Sequence, residues 1–167
     1  DTGGSHAGLT AAYAAIPADM HSVARRFGAE TLSQVDPADF FAHRLPGLAD
    51  DRAAHFFAEN ARVPQMRDAL ARRDAGEYLR LMNASGRSSE QLLRNIQVPG
   101  GDDRLARGLA CASALLDGVG AWRVHGGGFA GGVQALMPCT AFPAYRQAME
   151  ARFGPGSCRE LRITGAE

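Results

Sequence analysis

Five of the seven residues from Gly126 to Gly132 are glycine, in the run His125-Gly126-Gly127-Gly128-Phe129-Ala130-Gly131-Gly132. A backbone with so few β-carbons can approach an anion or a sugar closely. The flanks, Val119 to Val124 and Val133 to Pro138, alternate apolar and polar residues and read as two strands, so the run predicts a glycine-rich loop inside a hairpin. His125 abuts that loop and would stand at the mouth of any pocket there.

The same letters fit two phosphate-binding patterns, and the surroundings exclude both. Gly126, Gly128 and Gly131 match G-x-G-x-x-G, but a dinucleotide site needs a helix opening at the third glycine and an acidic residue about 20 positions on. Here a strand follows and stops at Pro138. Gly126 to Val133 also fits the glycine-rich loop of protein kinases, whose chemistry requires a strand lysine and an Asp-Phe-Gly metal site. All 18 basic residues of the chain are arginine, and no Asp-Phe-Gly occurs.

Other candidate chemistry is weaker. Asp1-Thr2-Gly3 copies the aspartic-protease triplet, which needs a second aspartate to share a proton, from a second copy or a dimer partner, and the sequence holds no second copy; a polar strand end before a glycine loop accounts for it. The histidines His6, His21, His43, His55 and His125 include no H-E-x-x-H and no close pair, so surface and helix-face positions are expected. Ser85-Gly86-Arg87-Ser88-Ser89 offers hydroxyls and a guanidinium for an oxyanion, although a capped helix start explains the same residues. Cys111, Cys139 and Cys158 form no C-x-x-C pair, so neither a disulfide framework nor a zinc ribbon is indicated. Cys111 reads as a small core residue.

The 167 residues suffice for one domain, and 46% hydrophobic content predicts folding rather than disorder. Net charge is zero, and Arg25-Arg26 and Arg72-Arg73 are the only basic doublets, so nucleic-acid binding is not expected. No stretch has the length of a membrane span, and no signal segment opens the chain. A reduced, cytoplasmic, soluble domain is the reading. The chain opens on Asp1, as expected of a piece of something longer or a processed product.

The elements that must position the loop follow from periodicity. A polar strand remnant at 1–9 precedes a helix from Thr10 to Arg26, with Tyr13, Ile16, Met20, Val23 and Phe27 on one face, Pro17 expected to kink it and Gly28 to end it. Asp36-Pro37 starts a short helix to His43. Asp50 or Asp51 caps a helix to about Arg73, with Phe56, Val63, Met66 and Leu70 as its buried stripe, interrupted by Pro64. Glu77 to Asn83 is helical, and Ser88 with Gln91 makes a capping box for a short helix to Asn95. After a turn at Pro99-Gly100-Gly101, Asp102 or Asp103 opens a helix to Asp117, with Leu105, Leu109, Ala112 and Leu116 on one face and Gly118 as its stop. Beyond the hairpin, a helix carries Phe142, Tyr145, Met149 and Phe153 and ends at Gly154-Pro155-Gly156; Cys158 to Thr164 is a final strand. The order implies an α+β fold, a helical block plus a small antiparallel sheet with helices packed on one face.

Arg123-Val124-His125-Gly126-Gly127-Gly128-Phe129-Ala130-Gly131 resembles the third conserved motif of the GHMP small-molecule kinases, in the form found in galactokinases, Arg-(Val/Met)-Thr-Gly-Gly-Gly-Phe-Gly-Gly-Cys. Three further segments agree in order. Asp1 to His6 with Leu9 to Tyr13 resembles the strand and loop leading to a substrate-side tyrosine. Arg52, Ala54, His55, Phe56, Glu59, Asn60, Arg62 and Val63 are similar to the family helix Arg-Ala-x-His-x-x-x-Glu-Asn-x-Arg-Val, and Met82-Asn83-Ala84-Ser85 to its Met-x-x-Ser segment.

The resemblance implies that residues 1–167 form the C-terminal domain of a galactokinase-like protein. In such an enzyme Tyr13 contacts the sugar, and His125, Gly126, Gly127, Gly128, Phe129 and Gly131 border the phosphate side of the cleft. The intact protein would transfer a phosphoryl group from ATP with Mg2+ to the anomeric hydroxyl of galactose or a similar hexose. A non-catalytic sugar-binding or regulatory module and a GHMP kinase for another small alcohol are the rival readings. The family's nucleotide loop, Pro-x-x-x-Gly-Leu-x-Ser-Ser-(Ala/Ser), occurs nowhere here, and its aspartate base and neighbouring arginine belong to an N-terminal lobe outside this chain. No catalytic residue is therefore assigned, the chain alone is expected to be inactive, and a lobe without its partner is expected to self-associate or expose an apolar patch. His125, Ala130, Gly132 and Gly86 depart from the family's threonine, glycine, cysteine and histidine. A methyl at position 130 requires ordinary backbone dihedrals there.

Overall fold

A computed structural model describes residues 1–5, 7–97 and 101–161. Among these described residues, six α-helices and one two-stranded sheet follow in the order α1 (Thr10–Arg26), α2 (Pro37–Ala42), α3 (Leu48–Ala71), α4 (Ala75–Ser88), α5 (Arg104–Leu116), β1 (Ala121–Val124), β2 (Val133–Leu136), α6 (Phe142–Phe153). The fold is α+β, a helical block beside a small antiparallel sheet. Short 3-10 turns at Leu32–Gln34 and Cys139–Ala141 introduce α2 and α6.

Local signals start and stop several helices as the sequence predicts. The Asp36 carboxylate accepts the Ala38 amide at 2.8 Å and Pro37 fills the first turn of α2. Asp102 Oδ1 accepts the Arg104 amide at the start of α5. Gly118 (φ +71°) and Gly154 (φ +96°) end α5 and α6 in backbone conformations that L side chains rarely adopt. By contrast α1 runs on through Pro17, which lies on its exposed side, where a missing backbone donor costs least.

The helical block closes on a core of Val23 and Ala24 from α1, Leu32 and Val35, Phe40 from α2, and Ala53, Ala54 and Phe57 from α3. Phe40 is fully buried between Phe27 and Phe57, and trimming such a ring to alanine costs ~3–5 kcal/mol. The expected α3 stripe is only partly right. Val63 and Leu70 are 67% and 61% exposed, because the buried face of α3 runs through Ala53, Ala54, Phe57 and Ala69 instead.

The hairpin pairs Ala121 with Leu136 and Val124 with Val133 in antiparallel register. On one face Trp122, Val124, Val133 and Ala135 meet α5 and α6 through Leu105, Ala112, Leu116, Tyr145 and Met149. The free edge of β1 is taken by a side chain of α4: Trp122 donates its amide to Asn83 Oδ1 at 3.0 Å, and Asn83 Nδ2 donates to the Gly120 carbonyl at 3.2 Å. Asn83 thus completes the ladder as a neighbouring strand would.

Two expected elements are corrected. Ser88 does not cap a new helix; α4 passes through it into a π-helical turn, Ser89–Leu93, closed by Arg94 at φ +55°. The Ser88 hydroxyl is committed elsewhere, to His55. The final strand is absent over residues 158–161, where Cys158 packs into the α5–α6 cluster and Leu161 is exposed. Residues 162–164, His6 and most of the turn expected at 99–101 lie outside the described residues. The strand remnant at the start forms no strand, yet Thr2 reaches the hairpin loop.

Candidate functional site

The glycine loop is held from three directions. From α1, the Tyr13 hydroxyl donates to the Gly128 carbonyl at 2.6 Å, and the Tyr13 ring meets Phe129 edge-on at 5.2 Å. From the start of the chain, the Thr2 amide and hydroxyl both donate to the Gly131 carbonyl, at 3.0 and 2.6 Å. From the segment after the π-helical turn, Asn95 Nδ2 donates to the Gly127 carbonyl at 3.0 Å, while the Asn95 carbonyl accepts the Phe129 amide at 2.5 Å. The His125 amide closes the base of the loop on the Gly132 carbonyl.

These contacts dictate which positions must be glycine. A β-carbon on Gly128, already at φ +82°, would lie 2.1 Å from the Asn95 carbonyl oxygen, and one on Gly127 would lie 3.0 Å from the Tyr13 ring. Phe129 adopts φ +58°, a left-handed conformation rare for a bulky residue. The hydrogen bond its amide donates to the Asn95 backbone carbonyl and its ring contact with Tyr13 offset that strain, of order 1–3 kcal/mol. Ala130 is absent from the positive-φ residues, as its methyl requires.

Beneath β1, on the face away from α5, lies a charged network. Glu59 of α3 pairs with Arg62 one turn later and accepts the Ser85 hydroxyl of α4 at 2.6 Å; Ser85 accepts in turn from Arg123 of β1 at 2.8 Å. His55 Nδ1 meets the Ser88 hydroxyl at 2.8 Å in a buried contact. Burial holds the His55 imidazole below the ordinary histidine range; the Glu59 charge and the Ser88 bond oppose that shift, and the Arg62 and Arg123 charges add to it. A further pair ties α1 to α3, Arg52 to Asp19 at 2.6 Å, and Arg52 also reaches the Leu93 carbonyl. Ser85, Ser88 and Ser89 are therefore interior framework, the hydroxyls at 85 and 88 already engaged, while Arg87 between them is exposed.

Tyr13 and the loop glycines, widely separated in sequence, are brought together. His125 is exposed at the loop edge. The Asp1 carboxylate accepts the Gly3 amide and holds its own turn. Asn95, Thr2 and Asn83 were not legible as site residues, since each acts through a partner more than 30 positions away. The helical pattern around Asn95 predicted the end of a helix, and one polar letter beside Ile96 carries no further signal.

Apart from His125, the loop carries no polar side chain, so what it offers a ligand is backbone. Arg123, the guanidinium closest to the loop in sequence, is turned toward Ser85 and the Val124 carbonyl. Among the described residues no group of three His, Cys, Asp or Glu side chains could hold a metal ion. Nor, among them, is any helix long and apolar enough to cross a membrane.

No protein-family model matches the chain. Among solved structures, it is similar to galactokinase from Lactococcus lactis complexed with galactose, with a TM-score of 0.77 and 20% sequence identity, over 92% of this chain and 40% of that one. The fold is galactokinase-like. The matched region spans less than half of that protein's length.

Proposed function

We propose that this chain is the C-terminal lobe of a galactokinase-like sugar kinase, which transfers the ATP γ-phosphoryl group to the anomeric hydroxyl of galactose or a similar hexose. One observation carries the reading: the tyrosine that the sequence resemblance puts beside the sugar is bonded by its hydroxyl to the glycine loop that the resemblance puts beside the phosphates. The fold likeness to a galactokinase supports it.

In this reading Tyr13 orients the hexose, and the backbone from His125 to Gly131 forms one wall of the cleft. Phosphoryl transfer depends on positioning and charge stabilisation. Bound ATP supplies the transferred group. In this reading Mg2+ and most of the nucleotide belong to an N-terminal lobe outside this chain. Isolated from that lobe, the chain is inactive and self-associates through exposed apolar side chains such as Val63 and Leu70. Its three free cysteines suit the reducing cytoplasm.

The test begins with the gene sequence upstream of Asp1. If it encodes the serine-rich phosphate loop, the intact product is assayed for ADP release against a panel of hexoses, with phosphorus NMR to identify an anomeric phosphate. Galactose-dependent turnover is expected. Sugar binding without turnover would replace the kinase with a binding module, and ADP release by this chain alone would refute its assigned inactivity.

A further inference from the structure

Asn95 has a combination of properties that packing alone does not explain. It is 1% exposed, and its side-chain donor is spent on the Gly127 carbonyl. Its Oδ1 is buried with no hydrogen-bond partner. The amide cannot gain by flipping, because Oδ1 would then face another acceptor. An apolar residue of the same shape would fill this position without stranding an acceptor away from water. The chain keeps asparagine, at the cost of that orphan oxygen, where a donor toward Gly127 is the only thing the side chain adds.

The backbone around it is equally specific. Arg94 turns left-handed at the end of the π-helical turn, with its amide on the Ser89 carbonyl, and this delivers Asn95 to the loop; π-helical turns of this kind recur at functional sites. Asn95 then grips the loop on both sides of Gly128, at the Gly127 carbonyl and the Phe129 amide. The Gly128 carbonyl left between these two anchors is the one that accepts the Tyr13 hydroxyl.

We infer that Asn95 is the positioning residue of the glycine loop: its side-chain amide fixes the Gly127–Gly128 peptide and thereby the placement of Tyr13. It touches neither sugar nor nucleotide in this reading and acts through those two groups. The kinetic part of the test rests on the kinase proposal above, whereas the exchange part does not.

The variants are Asn95→Leu and Asn95→Met, both apolar and both lacking the amide donor. Hydrogen exchange is followed at the amides of Gly127 to Phe129 and across α1 to α3. Exchange in the loop is expected to rise tenfold or more with the helical block unchanged. In the intact kinase, kcat is expected to fall at least tenfold while the unfolding midpoint moves little, as a small misplacement of reacting groups allows. Unchanged loop exchange, or a rise shared equally by the whole chain, overturns the inference. Should neither variant fold, the unsubstituted chain decides: the Asn95 side-chain amide protons are expected to exchange slowly, and exchange at the rate of a free amide would sink it. Complete inactivity of the intact protein toward every hexose, with the exchange result as expected, would fault the kinase proposal and leave Asn95 in place.

Discussion

Gly86→Ala sets two effects against each other, and their sizes decide the sign. Gly86 is inside α4, and replacing a helical glycine by alanine ordinarily gains ~1 kcal/mol. At this position, however, a β-carbon would lie 2.9 Å from the Trp122 carbonyl oxygen and 3.3 Å from Arg123 Cβ, whereas ordinary contact begins at 3.4 Å. The near atom is backbone, so α4 and β1 must part by about half an ångström. That movement stretches the bonds strung across the same gap: the two from Asn83, now 3.0 and 3.2 Å, and Arg123 to Ser85, now 2.8 Å. Overpacking of this kind costs ~1–3 kcal/mol, and weakened hydrogen bonds add about 1 kcal/mol. The net expectation is a loss of about 1–3 kcal/mol after the helix gain is deducted. For a chain of this length that lowers Tm by about 3–10 °C. Calorimetry or thermal circular dichroism on the purified chain measures it, with Gly86→His, the residue common in the family, expected to be worse. A Tm for Gly86→Ala equal to or above that of the parent would refute the close approach of α4 to β1.

Glu59→Ala leaves Arg62 and the Ser85 hydroxyl without their shared acceptor and is expected to cost about 2–3 kcal/mol in urea unfolding, below the value for a fully buried pair because the Glu59 side chain is 27% exposed. In a double-mutant cycle with Arg123→Met the two losses should fail to add by more than about 0.5 kcal/mol, and simple additivity would remove the Ser85 bridge from the argument. The depressed pKa of His55 means the unfolded chain binds its proton first as pH falls, so stability is present above the ordinary histidine value of about 6.5 and declines below it toward the lowered folded value. The urea midpoint should fall between pH 7.5 and 5.5 in the parent and flatten in His55→Asn; an identical slope in both would assign the effect to other groups.

The parts of this fold written in neighbouring residues were legible. Asp36-Pro37, Gly118 and Gly154 punctuate helices through their own dihedrals and side chains, and the spacing by fours and threes of Leu105, Leu109, Ala112 and Leu116 found the face of α5 that meets the sheet. Errors arose where a residue answers to a distant one. Ser88 has the letters of a cap, but the His55 ring competes for its hydroxyl and α4 continues past it. Val63 and Leu70 have helical spacing without a covering surface, because α3 turns Ala69 inward there. The hairpin and its loop were legible in a glycine run between alternating flanks, whereas Tyr13 became a candidate only through the family motif, and the clamp by Asn95 and Thr2 depends on tertiary closure that no local pattern records.

The departures from the family motif follow from the same geometry. Within the loop, the positions that match, Gly126, Gly128 and Gly131, have φ of +71°, +82° and +90°, and Gly127 is pressed on the Tyr13 ring. Each would be strained or blocked by a side chain. The positions that differ are permissive. His125 is exposed. A β-carbon at Gly132 would meet nothing closer than 3.9 Å, so the residue there is not dictated by space. Ala130 is tolerated reciprocally: its methyl lies 3.3 Å from where a Gly4 β-carbon would stand, so the extra carbon in the loop fits because residue 4 lacks one. Gly86 obeys the same logic in reverse, since the Trp122 carbonyl occupies the space that a histidine would need. In the loop, then, the positions that match the motif are those where a side chain would be strained or blocked, and the positions that differ from it leave room.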